Sequence, residues 1–373
     1  MSQVLPSTLP MAKKPARGKG IPDSRITVKH IAKEAGVSLG TVSNVISGKM
    51  PVRPEMRRRV VEAIRHLGYQ PSLLARGLRR NKSSIIGMVI PDITNPFFPA
   101  VVRGAEDVAY QNSFRLVLCN TDNDPQKEES YLRELYSYRM AGLILIPSVN
   151  SQITTLVDLE FKDVPVICLD RRPEDWTGET VTVGNSEGAF AATNHLIKLG
   201  HRWIAMITGS LHLTNAVARM EGFHSAMRKA KLDIEQEYIQ EGRFDRLSGY
   251  EKMRILLQQR PRPTAVVCGN DLIALGVLSA LREANLRCPQ DVSVVGFDDI
   301  DLAEITDPSL TTVFQPGYQM GARGAALLIK RLRGSGDEPL QNIVLPTELK
   351  VRHSVAPPHT AARGRASRKL SAS

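Results

Sequence analysis

The chain has 373 residues, of which 42% are hydrophobic, and this length and composition predict two or three domains with substantial cores. It contains no run of about 18 uncharged apolar residues and no apolar signal-peptide core, so we expect a cytoplasmic protein and not a membrane or secreted one. The four cysteines stand singly in the sequence, without the spacing of a zinc site or the density of a disulfide scaffold. We therefore expect reduced, buried thiols at Cys119, Cys168, Cys268 and Cys288.

The net charge of +11 is concentrated at the N-terminus. Residues 1–82 carry 17 Lys and Arg against 4 Asp and Glu, which leaves the rest of the chain close to neutral. A basic head on a near-neutral body is typical of a module that binds nucleic-acid phosphates. A merely solvated basic surface is the alternative, but this region also carries a folded helical pattern. Residues 1–24, before that pattern, are predicted to be a disordered basic extension.

Three short helices are predicted within residues 25–70. The first, TVKHIAKEAG, is capped by Thr27 and stopped by Gly36, and the second, VSLGTVSNVISG, is capped by Ser38 and stopped by Gly48. The third is RPEMRRRVVEAIRHLGY. Apolar residues recur at helical spacing in the first and third, at Val28, Ile31, Ala32, Ala35, Met56, Val60, Ile64 and Leu67. Two helices joined by a short turn and packed on a third form a helix-turn-helix unit.

The second helix is predicted to show a polar outer face once Val42, Val45 and Ile46 pack inward. Small hydroxyl groups bond phosphate oxygens, and residues near the start of such a helix reach base edges in the major groove. The outer face consists of Leu39, Gly40, Thr41, Ser43, Asn44 and Ser47. We therefore predict a DNA-contacting surface here, which also includes the capping residues Thr27 and Ser38.

The stretch TVKHIAKEAGVSLGTVSNVISGKMPVRPEMRRRVVEAIRHLGYQPSLLARGL resembles the DNA-binding head of the LacI/GalR (lactose-repressor) family of bacterial transcription regulators. The resemblance implies that Leu39, Gly40 and Asn44 lie at the base-reading positions. At the Asn44 position the family usually carries an arginine. Arginine favours guanine, whereas asparagine pairs with N6 and N7 of adenine, so we expect a different operator. Gly40 has no side chain and is expected to allow close approach and not to read a base.

Residues 71–82 are predicted to be a hinge helix or linker. The segment PSLLARGLRR resembles the family's hinge helix, which implies that it orders on the operator and that Leu78 wedges into the minor groove, with Ala75 and Arg79 also at the DNA. A ten-residue segment containing Gly77 does not hold a helix alone in water. Unstacking a base step costs a few kcal/mol and permits a bend that brings more protein onto the DNA. A plain linker, with Leu78 packed on the body, is the alternative.

Residues 83–355 alternate between strand-like apolar runs and amphipathic helical segments, a pattern typical of parallel sheets covered by helices. The length is large for one sheet, so we expect two similar lobes. The family resemblance implies an α/β two-lobed fold like that of type I periplasmic binding proteins, with three crossovers, a ligand cleft between the lobes, and a role in dimerisation. Residues 356–373, rich in Ala, Ser, Arg and Pro, are predicted to be a disordered tail.

Loops at the carboxyl ends of the strands are expected to line the cleft, because α/β proteins generally bind ligands there. Candidate effector-binding residues in these loops are Phe97, Phe98, Asp170, Arg219, Phe244, Asn270, Asp298 and Gln315. In the family such aromatics stack on the ligand, and an aspartate and an arginine bond its polar groups. The structural alternatives are a core position for Phe97 or Phe98, a helix cap for Asp271, an ion pair across the lobes for Asp298 with Arg219, and a loop anchor for Asp170. Leu213 stands where purine-binding members carry an arginine, which favours a sugar or sugar derivative.

A ligand-responsive repressor explains both halves of the chain, whereas a transport binding protein would need a signal peptide. The sequence lacks a Walker A loop, G-x-S-x-G, H-E-x-x-H and paired metal-ligand spacings, so we expect no enzymatic activity, metal or cofactor. We expect a homodimer, with further assembly to a tetramer left open, on a pseudo-palindromic operator, because one head contacts too few bases. The alternative is a global regulator of the same family whose partner is a phosphocarrier protein and not a small molecule.

Overall fold

The computed structural model describes residues 26–47, 50–69, 84–334 and 339–359. The chain divides into two compact units with the boundary after Asn81, and each unit is described by itself. Several predictions fall outside the described residues. They are the extension over residues 1–24, the helix stop at Gly48, the side chain of Ser47, the hinge over residues 71–82 with Ala75, Leu78 and Arg79, and the tail beyond His359.

The described part of the first unit contains three helices: α1 (Val28–Ala35), α2 (Leu39–Ser47) and α3 (Pro54–His66). Thr27 occupies the N-cap position of α1, and its backbone N–H donates to Nδ1 of His30 at 3.1 Å. Gly36 ends α1 with a φ of 59°, a left-handed conformation that glycine adopts without strain. Pro54 opens α3 at the first turn, where a missing N–H removes no helical bond.

A small apolar core joins these three helices. Ile31, Val42 and Val60, one from each helix, are fully buried. Val45 and Ile46 pack against them from α2, which confirms the predicted inward side of that helix. The opposite side of α2 is left free of the core.

The second unit is an α/β structure with two lobes, whose described strands form two six-stranded sheets. The first lobe contains β1 (Ile85–Ile90), β2 (Arg115–Asn120), β3 (Gly142–Leu145), β4 (Val166–Leu169), β5 (Glu179–Val183) and β11 (Asn342–Leu345). The second contains β6 (Ile204–Thr208), β7 (Ile239–Glu241), β8 (Ala265–Cys268), β9 (Ser293–Asp298), β10 (Thr311–Phe314) and β12 (Glu348–Lys350). The strand orders are β11-β5-β4-β3-β1-β2 and β12-β10-β9-β8-β6-β7, parallel except for the β10–β12 pair.

Helices pack on both sheets. Those of the first lobe are α4 (Phe97–Gln111), α5 (Pro125–Ser137), α6 (Ile153–Leu159) and α12 (Gly317–Arg333). Those of the second lobe are α7 (Asn185–Lys198), α8 (Thr214–Lys229), α9 (Arg246–Leu256), α10 (Asp271–Glu283) and α11 (Asp301–Ile305). Helices α4 and α12 touch backbone to backbone, since a Cβ atom on Gly104 would lie 2.0 Å from the carbonyl oxygen of Tyr318.

Three chain crossovers join the lobes, as the family resemblance implied. They lie between β5 and α7 at Gly184, between β10 and α12 at Pro316, and between β11 and β12 around Thr347. The Thr347 hydroxyl donates to the carbonyl oxygen of Gly184 at 3.1 Å and ties two of the crossovers together. Apart from β12, the strands within each sheet run parallel, so the carboxyl ends of both sheets border the space between the lobes.

The C-terminal end of the second unit is more ordered than the sequence predicted. The disordered tail was expected to begin at Ala356, yet the backbone N–H of Ala356 donates to Oγ of Ser293 at 3.1 Å. Its carbonyl oxygen lies 2.8 Å from Nε2 of His201. Polar contacts of this kind order a segment whose composition alone indicates disorder, so Ala356 belongs with the second lobe.

Within the described residues, no helix combines the length and apolarity that a membrane span requires. The same residues contain no group of three or more His, Cys, Asp or Glu side chains placed to hold a metal ion. All four cysteines carry free thiols. Burial raises the pKa of the Cys168 and Cys268 thiols well above the usual value.

Candidate functional site

The side of α2 that faces away from the core carries the residues predicted to contact DNA. Leu39 is 48% exposed at the start of the helix, and Gly40 beside it is also exposed. The half-buried residues on this side are Thr41, Ser43 and Asn44. A Cβ atom added at Gly40 would meet no atom nearer than Oγ of Ser38 at 3.7 Å, so packing does not require glycine there. Its absent side chain leaves room for another surface to approach the helix backbone.

Ser38 caps α2 as predicted. Its Oγ accepts a hydrogen bond from the backbone N–H of Thr41 at 3.1 Å, and the hydroxyls of Ser38 and Thr41 lie 2.9 Å apart. One of these two hydroxyls donates to the other. The second hydroxyl proton is therefore available to a phosphate oxygen at the start of the helix.

Exposed basic side chains follow α2 in the sequence. Arg53, Arg57 and Arg58 all lie exposed at the start of α3. Arg58 is 3.9 Å from Glu62, and both side chains are mostly exposed, so this ion pair is weak and leaves the charge available. Arg59 instead donates to the carbonyl oxygen of Gly36 at 3.3 Å and joins α3 to the end of α1.

A cavity of about 550 Å³, here called the interlobe cavity, lies in the second unit and takes lining residues from both lobes. Its volume is typical of small-molecule sites. All eight residues predicted to bind an effector line it: Phe97, Phe98, Asp170, Arg219, Phe244, Asn270, Asp298 and Gln315. The carboxyl ends of the strands therefore bring together side chains that are far apart in the sequence.

Phe97 and Phe98 form one apolar wall of the interlobe cavity at the start of α4. Their rings meet edge to face with centroids 5.3 Å apart, and each is about 5% exposed. Both also belong to the main hydrophobic core. The expectation that Phe97 or Phe98 occupies a core position is confirmed, and both residues also line the cavity.

Asp170 follows β4 in the first lobe and bonds across to the second. Its Oδ2 accepts from Nδ2 of Asn215, on α8, at 2.9 Å. The backbone of Arg172 and the hydroxyl of Thr214 make a second contact between the lobes, with distances of 3.2 and 3.3 Å. Burial raises the pKa of the Asp170 carboxyl. The residue is thus a link between the lobes and not the loop anchor considered as an alternative.

Arg219, on α8 of the second lobe, lines the interlobe cavity and is 3% exposed. Its Nε donates to Oδ1 of Asn185 at 2.8 Å, and its Nη1 donates to the carbonyl oxygen of Gly269 at 2.6 Å. The guanidinium carbon sits 3.8 Å from the ring centroid of Phe297, in a cation–π contact. Nη1 also approaches Oδ1 of Asp298 to 3.8 Å.

Asp298 and Gln315 form a buried pair at the ends of β9 and β10. Nε2 of Gln315 donates to Oδ1 of Asp298. Burial raises the pKa of the Asp298 carboxyl well above its usual value, and the nearby positive charge of Arg219 opposes that rise. Arg219 and Asp298 do pair, as the structural alternative held, but both belong to the second lobe, so the pair does not cross the cavity.

Asn270 takes the helix-capping role that the sequence suggested for Asp271. Oδ1 of Asn270 accepts from the backbone N–H of Ile273 at 2.9 Å, so Asn270 caps α10. The expectation that Asp271 caps this helix is wrong. Its carboxylate points instead to the loop after β9, where it accepts from the backbone N–H of Ile300 at 2.9 Å.

Three buried acceptor atoms on lining residues have no hydrogen-bond partner: Oδ1 of Asp170, Oδ1 of Asn215 and Oε1 of Gln315. The amide orientations follow from the neighbouring carboxylates, which accept from the nitrogens and leave the oxygens turned away. A buried acceptor without a partner is costly, so these three atoms call for donors from a bound molecule. Hydroxyl and amine groups supply such donors.

Sequence reasoning did not assign several polar lining residues, among them Asn95, Asn123, Asn215 and Arg243. Asn215 precedes Arg219 by one helical turn, so both side chains lie on the same face of α8. That spacing is a signal that could have identified Asn215 once Arg219 was chosen. Asn123 and Asn95 follow β2 and β1 by a few residues, but loops of that length do not fix which side chain turns inward.

Two family models match the chain. One, described as bacterial regulatory proteins of the lacI family, matches residues 27–72, and the other, described as a periplasmic binding protein-like domain, matches residues 193–355. The HTH-type transcriptional repressor PurR of Histophilus somni is 38% identical over 329 residues, which cover 88% of this chain and 98% of that protein. The ribose operon repressor of Escherichia coli K12 is 40% identical over 306 residues, which cover 82% and 93%.

Solved structures resemble the chain over most of its length. The lac repressor dimer bound to operator and the anti-inducer ONPF has a TM-score of 0.77 at 26% identity and covers 89% of this chain and 100% of that one. A LacI family transcriptional regulator from Enterococcus faecium with bound ribose has a TM-score of 0.67 at 33% identity and covers 74% of this chain and 100% of that one.

Proposed function

Because the chain belongs to the LacI family of bacterial regulatory proteins, we propose that it is a cytoplasmic transcriptional repressor whose operator affinity is controlled by an uncharged sugar in the interlobe cavity. The outer face of α2 reads the operator, with Leu39, Gly40 and Asn44 at the base-reading positions. A homodimer presents two such faces to a pseudo-palindromic site, and the lac repressor dimer on its operator supports this arrangement.

The three unpartnered acceptors in the interlobe cavity carry the proposal for the ligand. Asp170 and Asn215 present theirs at the contact between the lobes, and Gln315 presents its own beside Asp298. A sugar matches this pattern because its ring carries hydroxyl donors on several sides. Its C–H faces match the rings of Phe97, Phe98 and Phe244, which line the same cavity.

The charges of the lining residues favour an uncharged sugar over a phosphorylated one. Arg171 and Arg219, the buried guanidiniums, already donate to protein oxygens such as the carbonyl groups of Pro147 and Gly269. Arg243, which also lines the cavity, is exposed and lies 2.9 Å from Asp245. A phosphate in the cavity would meet the carboxyl groups of Asp170 and Asp298, while each arginine of the described lining already donates to a protein oxygen, which is unfavourable in a buried site.

The relatives include both a repressor named PurR and a ribose operon repressor. Leu213 favours the sugar, because it lines the cavity with an apolar side chain where purine-binding members carry an arginine. The regulator with bound ribose makes ribose the first sugar to test. Nothing in the comparisons supports the alternative of a phosphocarrier protein as regulatory partner.

The test is a calorimetric titration of the full-length dimer with D-ribose, D-ribose 5-phosphate and hypoxanthine. We expect D-ribose alone to bind and to change operator affinity in a fluorescence-anisotropy assay. At 100 times its dissociation constant it should stabilise the second unit by about 2.7 kcal/mol. Tight binding of the phosphate ester or of hypoxanthine, with no response to any free sugar, would overturn the proposal.

A matched variant checks that the cavity is the binding site. Gln315→Met keeps the size of the side chain and removes one unpartnered acceptor together with the Nε2 donor to Asp298, so the affinity for D-ribose should fall by a factor of about ten or more. The control is Gln258→Met, since Gln258 is an exposed residue that follows α9 and does not line the cavity. An unchanged affinity in Gln315→Met would remove this residue from the site.

A further inference from the structure

Asp271 is a fully buried carboxylate that does not line the interlobe cavity. It occupies the first position of α10, next to Asn270, which already caps the helix. A buried carboxylate is expensive unless several donors surround it. The donors that surround Asp271 therefore indicate what it does in the fold.

Those donors come from two segments that border the cavity. Oδ2 of Asp271 accepts from the backbone N–H of Ile300 at 2.9 Å, and Oδ1 accepts from the hydroxyl of Thr312 at 2.6 Å. Ile300 lies in the loop after β9, two residues past Asp298, and Thr312 lies on β10, three residues before Gln315. One carboxylate thus holds both strand ends that supply the Asp298–Gln315 pair.

The backbone of β9 leaves space for this carboxylate. A Cβ atom on Gly296 would lie 2.0 Å from Oδ1 of Asp271, which no side chain tolerates. Glycine at this point of β9 therefore matches the aspartate at the start of α10. The carboxylate of Asp271 can occupy this position only because residue 296 has no side chain.

The loop that Asp271 holds has an unfavourable backbone conformation. Asp298 has a φ of 120° and Asp299 a φ of 58°, both in the region that residues with a side chain rarely adopt. Such a conformation persists only where the surroundings hold it in place. Asp299 forms an ion pair with Arg352 at 2.7 Å, and Asp271 accepts from the backbone of the same loop at Ile300.

We propose that Asp271 is a positioning residue for the ligand site: it clamps the loop after β9 to β10 so that the carboxylate of Asp298 and the amide of Gln315 face the cavity together. The statement that these groups serve a ligand rests on the proposed function. The clamp itself is a property of the ligand-free protein and is measured separately. Asp271 acts through the loop, since it does not border the cavity.

The clamp is tested by hydrogen exchange on the ligand-free full-length protein above pH 7, where the Asp271 carboxyl is ionised and both of its oxygens accept. Asp271→Asn keeps the shape of the side chain but leaves one acceptor where two donors point, so we expect the Ile300 amide to exchange at least tenfold faster. The control is Ser293→Ala, which removes a buried hydroxyl of the same lobe that bonds Ala356 and not the loop. The control should lower the unfolding midpoint while the Ile300 amide keeps its exchange rate.

A second variant covers the case in which Asp271→Asn does not fold. Thr312→Val removes only the β10 donor, so the Ile300 amide should exchange about two- to fivefold faster. Wild-type exchange rates at Ile300 in the folded variants would overturn the clamp, whatever ligand the cavity takes.

Titration with D-ribose gives the second readout. We expect at least a tenfold weaker affinity in Asp271→Asn and no change in Ser293→Ala. Unchanged affinity together with faster exchange at Ile300 would show a loop clamp without a role in the ligand site, which overturns the positioning role. If the wild-type protein itself ignores D-ribose, the proposed ligand fails, and exchange at Ile300 alone then decides the clamp.

Discussion

The outer face of α2 and the interlobe cavity are prepared for their partners in opposite ways. On α2 the groups that would meet DNA are exposed or half-buried, and the basic side chains nearby are weakly paired. In the cavity the charged groups are buried and bonded to one another, with only a few acceptors left over. Exposed side chains are replaced at little cost to folding, whereas replacing a buried member of a bonded set disturbs its partners. On α2, mutations should therefore change DNA recognition without changing stability. In the interlobe cavity, mutations should change ligand binding and stability together.

The largest effect is expected from Arg219→Ala. It leaves the carboxylate of Asp298 buried without its nearby charge and should lower the free energy of unfolding of the second unit by about 3–5 kcal/mol. Trp176 and Trp203 both lie in the second unit, so urea unfolding followed by tryptophan fluorescence reports on it. The response to D-ribose should be lost as well.

Arg243→Ala is the matched control for Arg219→Ala, because Arg243 lines the same cavity from an exposed position. Its free energy of unfolding should change by less than about 1 kcal/mol. Equal destabilisation by the two variants would break the contrast between buried and exposed charge on which the comparison depends.

On the helix, Asn44→Ala should weaken binding to the natural operator by about 1–3 kcal/mol and relax the preference at one symmetric base position. Binding to random DNA and the unfolding of both units should stay as in the wild type. Arg58→Ala provides the contrast, since loss of an exposed charge weakens binding to both DNAs alike. If Asn44→Ala behaves like Arg58→Ala in an anisotropy titration, Asn44 reads no base.

The hinge lies outside the described residues, and its role stays a prediction from the sequence. If Leu78 wedges between central base pairs, Leu78→Ala should lower operator affinity by about 2 kcal/mol through lost apolar burial. It should also reduce the DNA bend measured with permuted sites in a gel assay. Unchanged bending would favour the plain linker.

A further effect concerns pH. Burial raises the pKa of Asp271 to about 7, so the native protein holds a proton that the unfolded chain releases at about pH 4. The stability from this group is complete below that pH and is lost as the pH rises to about 7. Asp271→Asn should flatten the decline of the unfolding free energy between pH 5 and 7. The control Asp233→Asn, at an exposed position, should leave this decline unchanged. An unaltered slope in Asp271→Asn would assign the decline to other carboxyls.

The two lobes and the lining of the cavity could be predicted from the sequence because parallel strands place their carboxyl ends together. Phe97, Asp298 and Gln315 were found from that rule and the family resemblance alone. The partners of these residues were not accessible in the same way. Whether Arg219 meets Asp298 within one lobe or across two, and whether Asn270 or Asp271 caps α10, depends on side-chain directions that spacing does not fix.

The path of the chain through the crossovers has a consequence for how the protein is made. Helix α12 and strand β11 complete the first lobe, with Leu327 and Leu328 of α12 buried against it, yet in the sequence they follow strands β6 to β10 and helices α7 to α11 of the second lobe. A ribosome adding 5–20 residues per second takes on the order of ten seconds to make the intervening segment. During that time the apolar surface that later receives α12, including Leu169 beside Gly324, stays uncovered on the nascent chain. The first lobe, although its synthesis begins first, is therefore completed only after most of the second lobe has been made.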